Sequence, residues 1–382
     1  MIYFDNAATT YPKPQIVTNT VSQALRLYGA NPGRSGHTMS IKSAEEIYKC
    51  RQAIKDMFGA DAVENVIFTL NCTQSINMVL KGYLKSGDHV VISSMEHNAV
   101  VRPLTEMKSQ NITYSVAQVY QQDNDKTIDS FRKAITNSTK LIVCTHASNV
   151  WGIRLPIERL TALAHEYGIR ILVDAAQTAG IFPIDLRRDK IDFLCLAGHK
   201  GLYGVMGTGV LVTPWANELK TIIEGGTGTS SASFEQPLYA PERFESGTPN
   251  VSGIIGLKAG IKFISGIKTE NIAKHEMSLV LRLYDRLKNI KGVKLYTERP
   301  DLQYYAPLLS FNVGDKESEA VAEYLNMNGQ IATRAGLHCA PLAHMSAGTI
   351  DRGAVRVSPS YFNTANEVER LGNLIQKISV KL

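Results

Sequence analysis

At 382 residues, with 44% hydrophobic and 20% charged side chains, the chain exceeds the usual single-core size and reads as a large domain plus a smaller one, not as a disordered or fibrous chain. Its 41 basic and 35 acidic residues leave a net charge of +6 without a basic block, which argues against nucleic acid, because affinity for phosphate backbones needs clustered charge. The five cysteines are odd in number and show no paired spacing, which fits a reducing cytoplasm, and neither a bilayer-spanning apolar run nor a secretory signal is evident.

Residues 1–13 read as an extended arm ending in Tyr11-Pro-Lys-Pro14, where proline resists helix. Apolar residues recur at helical spacing over Gln15–Tyr28 and Ser40–Phe58. The turn-rich loop between them carries Arg34 and His37, either a solvated pair or part of a site mouth. Strand Asn65–Thr69 leads into Asn71-Cys-Thr-Gln-Ser-Ile-Asn77 and a helix. Small polar residues at a helix start are an ordinary N-cap or a seat for phosphate, with Thr73 offering its hydroxyl and Cys72 its backbone. Strands follow at His89–Ser93, ahead of His97, at Ile112–Ala117, and at Lys140–Thr145, ahead of Asn149. A helix over Pro156–Tyr167 precedes two apolar runs that end in chemistry: Gly168–Asp174, with Gln177 three residues on, and Ile191–Ala197, which runs into His199 and Lys200.

With Val210–Thr213 these make seven strands interleaved with helices, the mark of a mostly parallel sheet covered on both faces. Such sheets bind ligands at their carboxyl edge. A lysine able to form a Schiff base and a carboxylate able to pair with a protonated pyridine nitrogen are the protein groups pyridoxal phosphate needs most. On the plainer reading Asp174 caps a helix and Lys200 is a solvated loop lysine. The glycines of Gly201–Gly209 follow the lysine instead of preceding a helix, so they are no nucleotide loop. Beyond them, helices over Val251–Ile267 and Ile272–Leu287 lead to a smaller alternation of strands and helices through Ile378. There Arg334 and Arg356 lie at apparent strand ends, where planar guanidinium groups suit carboxylate capture. Between them, Cys339 sits in a loop with basic neighbours, which favours a nucleophilic thiolate over an inert buried thiol. A zinc site from His338, Cys339 and His344 lacks a fourth ligand at useful spacing, so no metal is expected.

Seven motifs occur in one order: Tyr3-Phe-Asp-Asn-Ala-Ala-Thr-Thr10, Glu96-His-Asn98, Ser148-Asn-Val-Trp-Gly152, Val173-Asp-Ala-Ala-Gln177, Gly198-His-Lys200, Arg243-Phe-Glu-Ser-Gly-Thr-Pro-Asn250 and Arg334-Ala-Gly-Leu-His-Cys339. In them the chain resembles, nearly end to end, the cysteine desulfurase family of pyridoxal-phosphate enzymes within the class V aminotransferase group. The compact Cys339 loop is similar to that of the second group of desulfurases and of selenocysteine lyases. The resemblance implies the α/β fold of pyridoxal-phosphate-dependent transferases (aspartate-aminotransferase-like). That means an arm over 1–13, a large cofactor-binding domain over 14–255 with a mostly parallel seven-stranded sheet, and a smaller α/β domain over 256–382 carrying the cysteine loop.

The resemblance also implies roles. Lys200 would carry the cofactor and move the α-proton, and Asp174 would pair with the pyridine nitrogen. His97 would lie flat on the ring and act in catalysis, with Asn149 and Gln177 near the phenolic oxygen. Cys72, Thr73 and His199 would complete the cofactor set, and Thr248 would reach the phosphate of the neighbouring subunit of a homodimer. Asn6, Ala7, Asn149, Arg334 and Arg356 would line the substrate end, with Arg356 gripping the carboxylate. Cys339 would take sulfur from L-cysteine as a persulfide, releasing L-alanine, and pass it to an acceptor protein. L-selenocysteine is an alternative substrate, and a class V aminotransferase acting on a small amino acid is the alternative enzyme. The chain departs from its relatives at Ala197, where many have serine, and at Cys72, where a small residue or threonine is usual.

Overall fold

The computed structural model describes residues 1–33, 35–229 and 231–380, so Arg34 of the predicted loop lies outside the described residues. The chain opens with β1 (Ile2–Tyr3), α1 (Gln15–Leu27) and α2 (Thr38–Phe58). There follow β2 (Val66–Thr69), α3 (Cys72–Tyr83), β3 (His89–Ser93), α4 (Asn98–Glu106), β4 (Thr113–Ala117), α5 (Asn124–Ala134), β5 (Thr139–Thr145), α6 (Ile157–Glu166), β6 (Arg170–Asp174), the short α7 (Leu186–Asp189), β7 (Phe193–Ala197) and β8 (Gly209–Val212). The C-terminal part holds α8 (Val251–Ile267), α9 (Thr269–Leu287), β9 (Val293–Leu295), β10 (Leu309–Val313), α10 (Ser318–Gly329), β11 (Ile331–Ala332), α11 (Pro341–Ser346), β12 (Val355–Val357) and α12 (Ala365–Val380).

The seven expected strands form one sheet in the order β2-β8-β7-β6-β5-β3-β4. Within it β8 alone runs against the rest, pairing antiparallel with β7 and β2. Apart from the edge strand β4, which is largely exposed, the strands are covered on both faces, which is why they read as continuous apolar runs instead of alternating ones. Along β7, Phe193, Cys195 and Ala197 join the core under α3 and α4. Leu194 and Leu196 join the opposite core with Leu160 of α6 and Leu257 of α8, as the two-residue period of a strand requires. Gly209 allows the start of α3 to sit on the sheet, since a Cβ there would lie 2.4 Å from the Asn71 carbonyl carbon.

In the smaller unit β12-β10-β9 form an antiparallel sheet, with α10 and α12 packed on β10 and α9 on α12. The arm belongs to this unit by its pairing: β1 runs parallel to β11, Ile2 opposite Ile331, Asp5 bridges Ser358, and Phe4 is fully buried. Helix α8 is continuous across residues 255 and 256 and packs on α1 and α2.

Two local expectations change. Arg356 is not at a strand end but in the middle of β12, opposite Ser310 of β10. Helices α4, α5, α7 and α11 have no counterpart in the sequence reading; in α5 only Thr127, Ile128 and Phe131 are buried, too few to show a helical period, and its start is fixed instead by Asp123, whose Oδ1 accepts from Lys126 N at 3.0 Å. Among the described residues no helix is long and apolar enough to cross a membrane.

Candidate active site

The carboxyl ends of β5, β6 and β7 lie side by side, with Thr145 opposite Asp174 and Asp174 opposite Cys195. A cleft opens there, and it is lined by Cys72, Thr73, His97, Asn149, Asp174, Gln177, His199 and Lys200, with Ala197. These are the eight cofactor residues expected within one subunit. Asp174 is buried; its Oδ1 accepts from Ala176 N at 2.9 Å and from the Cys72 thiol at 3.3 Å. No helix begins at Asp174 for it to cap; its carboxylate instead holds the turn that follows β6 while lining the cleft. Burial, reinforced by Asp174, pushes the Cys72 thiol well above its usual range, so Cys72 stays a neutral donor.

Burial pushes the Lys200 amine down, opposed by Asp174 and Cys72 and assisted by Arg356 and Arg334. A lysine so placed keeps a larger share of the free amine that nucleophilic and base chemistry need. Its turn is clamped by the arm. The His199 carbonyl accepts from Thr10 N at 3.1 Å, Thr9 Oγ1 at 3.1 Å and Lys13 Nζ at 2.7 Å, and burial pushes the Lys13 amine down to about 8.

His97 caps α4, its Nδ1 accepting from Ala99 N at 3.0 Å. Burial pushes the ring down to about 4, against the pull of Asp174, so it is neutral with its proton on Nε2. The preceding Glu96 ties this turn to β5: its Oε1 accepts from the Ser93 hydroxyl and from Thr145 N.

Two features of this cleft suit the groups of pyridoxal phosphate. At the start of α3 the Asn71 side chain accepts from Gln74 N, while the first-turn N–H groups of Cys72 and Thr73 have no intrahelical acceptor. Opposite, His199 Nδ1 is buried without a partner, and burial pushes that ring down to about 4. Together with the Thr73 hydroxyl these donors suit a phosphate at a helix N-terminus, and Asp174 suits a ring nitrogen. Ala197 offers no hydroxyl to it.

A narrow neighbouring cleft shares Gln177 and Lys200 and adds Asn6, Ala7 and Ser358. Gln177 Nε2 donates to the Ala7 carbonyl at 3.1 Å. The Asn6 amide is taken up in holding the arm, donating to Ser358 O at 3.0 Å and accepting from Tyr11 N at 3.0 Å. Arg356 is buried, donating from Nη1 to Asn149 O at 2.8 Å and from Nη2 to Asp5 Oδ1 at 2.7 Å; its Nε has no partner.

Cys339 stands outside both clefts and is the one exposed cysteine; the other four are buried. Arg334 Nη2 lies 3.8 Å from its Sγ, so this guanidinium faces the thiol. The Cys339 carbonyl accepts from Asn98 N at 2.7 Å, one residue from His97. Thr248 is exposed, outside the cofactor cleft of its own chain, and accepts from Asn31 Nδ2 at 3.4 Å. Sequence reasoning did not assign roles to Asp5, Lys13, Glu96 or Asn98, although three of the four lie inside its motifs and only their partners are distant. Among the described residues no group of three or more His, Cys, Asp or Glu side chains is placed to hold a metal ion.

Residues 2–371 match the aminotransferase class-V family. Over 99% of its length the chain is 31% identical to a probable cysteine desulfurase of Methanothermobacter thermautotrophicus, of which it covers 94%. It is also 31% identical over 99% of its length to a cysteine desulfurase of Synechococcus elongatus, of which it spans only 60%. The fold aligns with the apo structure of a cysteine desulfurase from Thermococcus onnurineus NA1 with a TM-score of 0.92 and 31% identity, covering 100% of this chain and 95% of that one.

Proposed function

This chain belongs to the class-V aminotransferase family, and within that family we propose that it is a pyridoxal-phosphate-dependent cysteine desulfurase, converting L-cysteine to L-alanine and leaving the sulfur on Cys339 as a persulfide. The observation that carries the reading is the pairing of a lysine–carboxylate cleft with a single exposed cysteine beside an arginine, its carbonyl held by the N–H of Asn98, next to His97.

Pyridoxal phosphate, held by Lys200, Asp174, Thr73, His199 and the start of α3, supplies an electron sink when bound. Around it the chain's own residues do the rest. Lys200 takes the proton from the substrate Cα, for which its burial-lowered basicity suits it. His97, neutral and fixed by its cap, presents a flat ring face, and Asn149 and Gln177 orient the ligand from either side. Arg356, with Nε still unpartnered, receives the substrate carboxylate, which fixes the bond that faces Lys200. The Cys339 thiolate, beside the Arg334 guanidinium, attacks the substrate sulfur: a sulfur–sulfur bond forms as the carbon–sulfur bond breaks, and protonation of carbon yields alanine.

In this reading the enzyme is a cytoplasmic homodimer in which Thr248 reaches the partner subunit's phosphate, and an acceptor protein collects sulfur at the exposed Cys339. The test is mass spectrometry of the purified protein after incubation with L-cysteine. One added sulfur on the peptide carrying Cys339 is expected; sulfur on another cysteine, or none, refutes the proposal.

A further inference from the structure

The Cys339 turn is held in a backbone shape it would not adopt alone. His338 and Cys339 both have left-handed backbone, with φ of 52° and 55°, a region that histidine enters more readily than most residues but that is uncommon and costly for a cysteine. Two ties on the main chain hold it: the His338 carbonyl accepts from Asn149 Nδ2 at 2.7 Å and the Cys339 carbonyl from Asn98 N at 2.7 Å.

A third tie runs through buried side chains. His338 Nε2 lies 3.4 Å from the Arg334 carbonyl, His338 Nδ1 lies 3.4 Å from His344 Nε2, and His344 Nδ1 lies 2.8 Å from Thr349 Oγ1. All three residues are at most 2% exposed. The two rings are within 7° of coplanar with centroids 5.7 Å apart, which is the N···N distance plus the reach from each centroid to its nitrogen. They therefore meet edge to edge, as a hydrogen bond demands, and do not stack face to face.

The proton positions follow from the partners. A carbonyl only accepts, so His338 Nε2 carries a proton. Burial depresses both imidazoles, His344 to about 4, and each holds a single proton; His338 Nδ1 must accept from His344 Nε2, and His344 Nδ1 must accept from the Thr349 hydroxyl. The other acceptor within reach of that hydroxyl, the His344 carbonyl at 3.3 Å, is the longer contact, and using it would leave His344 Nδ1 without a donor. One assignment thus satisfies every polar atom, the condition under which a buried network specifies a single geometry. This pair passes through the residue next to Cys339 and ends on the main-chain carbonyl of Arg334, which also receives Arg356 N at 2.7 Å, in the residue whose guanidinium lies against Cys339 Sγ.

We propose that Thr349, His344 and His338 form a one-directional hydrogen-bonded relay that sets the Cys339 turn against Arg334, so that His344 and Thr349 are positioning residues for sulfur transfer. The functional half of this statement rests on the desulfurase reading; the geometric half does not.

Thr349→Val removes the terminal donor at nearly constant shape, and Thr349→Ser keeps it. In the holoenzyme, Thr349→Val is expected to fold with full cofactor content and a slightly lowered thermal midpoint, to speed hydrogen exchange in the peptide spanning 334–340, and to release alanine about tenfold more slowly, the effect of one lost hydrogen bond, with KM for cysteine unchanged. Thr349→Ser should restore both exchange and kcat, and His344→Phe should reproduce the valine variant. Parent-like exchange in Thr349→Val, or a serine variant no better than valine, overturns the relay. If the parent chain released no alanine at all, the desulfurase reading would fall, while the exchange comparison would still decide the relay by the same two outcomes.

Discussion

Glu96 offers a quantitative check on the electrostatics beside the cleft. It is wholly buried one residue before His97. Its Oε1 accepts from the Ser93 hydroxyl and Thr145 N, while Oε2 has no partner. Burial outweighs those hydrogen bonds and pushes the carboxyl from 4.5 to about 8. In the unfolded chain Glu96 ionises near its ordinary value, whereas in the folded protein it holds its proton to about 8. Its contribution to stability is therefore fully present below pH 4.5 and is lost as pH rises to about 8. At about 1.4 kcal/mol per pH unit the ceiling is about 5 kcal/mol, and the higher effective dielectric of real protein interiors brings the expected loss to about 2–3 kcal/mol. Glu96→Gln keeps the Oε1 acceptor for both donors and cannot ionise. Urea unfolding at about pH 5 and about pH 8.5, followed by the fluorescence of Trp151 and Trp215, should show the parent losing about 2–3 kcal/mol more than the variant across that interval. Glu276, which burial also pushes up to about 8, is common to both proteins and cancels. Parallel pH profiles for the two would refute the argument.

Lys200→Ala should not retain cofactor covalently; borohydride reduction and peptide mapping of the parent should place it on Lys200, and label on any other lysine contradicts the site. Ala197→Ser should slow cofactor dissociation about ten- to a hundredfold if the phosphate lies at the start of α3, the worth of one charge-assisted hydrogen bond; identical dissociation rates would show that another donor already fills that position. Asp5→Ala strands the buried Arg356 guanidinium and should cost about 3 kcal/mol in denaturant unfolding. Asp5→Asn should cost less because its amide oxygen still accepts, and an Asp5→Ala protein as stable as the parent would show that the pair carries no stability.

What could be read in the sequence was whatever lies close along the chain. Strands buried on both faces announce themselves as apolar runs, and Asp174 and Lys200 stand at the ends of two such runs, so the sheet and the heart of the cleft were legible. Partnerships across long separations were not. Arg356 finds Asp5 across 351 positions, and the arm that reads as a free extension becomes a strand beside β11. Asn6 reads as a substrate contact, but its amide is spent on Ser358 and Tyr11, which leaves the Ala7 backbone to face Gln177. His338 and His344 read as an incomplete metal site, because the hydroxyl that completes their pairing, Thr349, is no metal ligand and carries no motif of its own.

The central claim is that Cys339 does the chemistry that separates a desulfurase from its aminotransferase kin, for which Lys200, Asp174 and a carboxylate-binding arginine suffice. Cys339→Ala removes an exposed thiol that lines neither cleft, so cofactor binding and the spectral response to cysteine should persist. The decisive measurement is alanine released from L-cysteine by this variant: none above background is expected, and production at the parent's rate would contradict a role for Cys339 in sulfur removal.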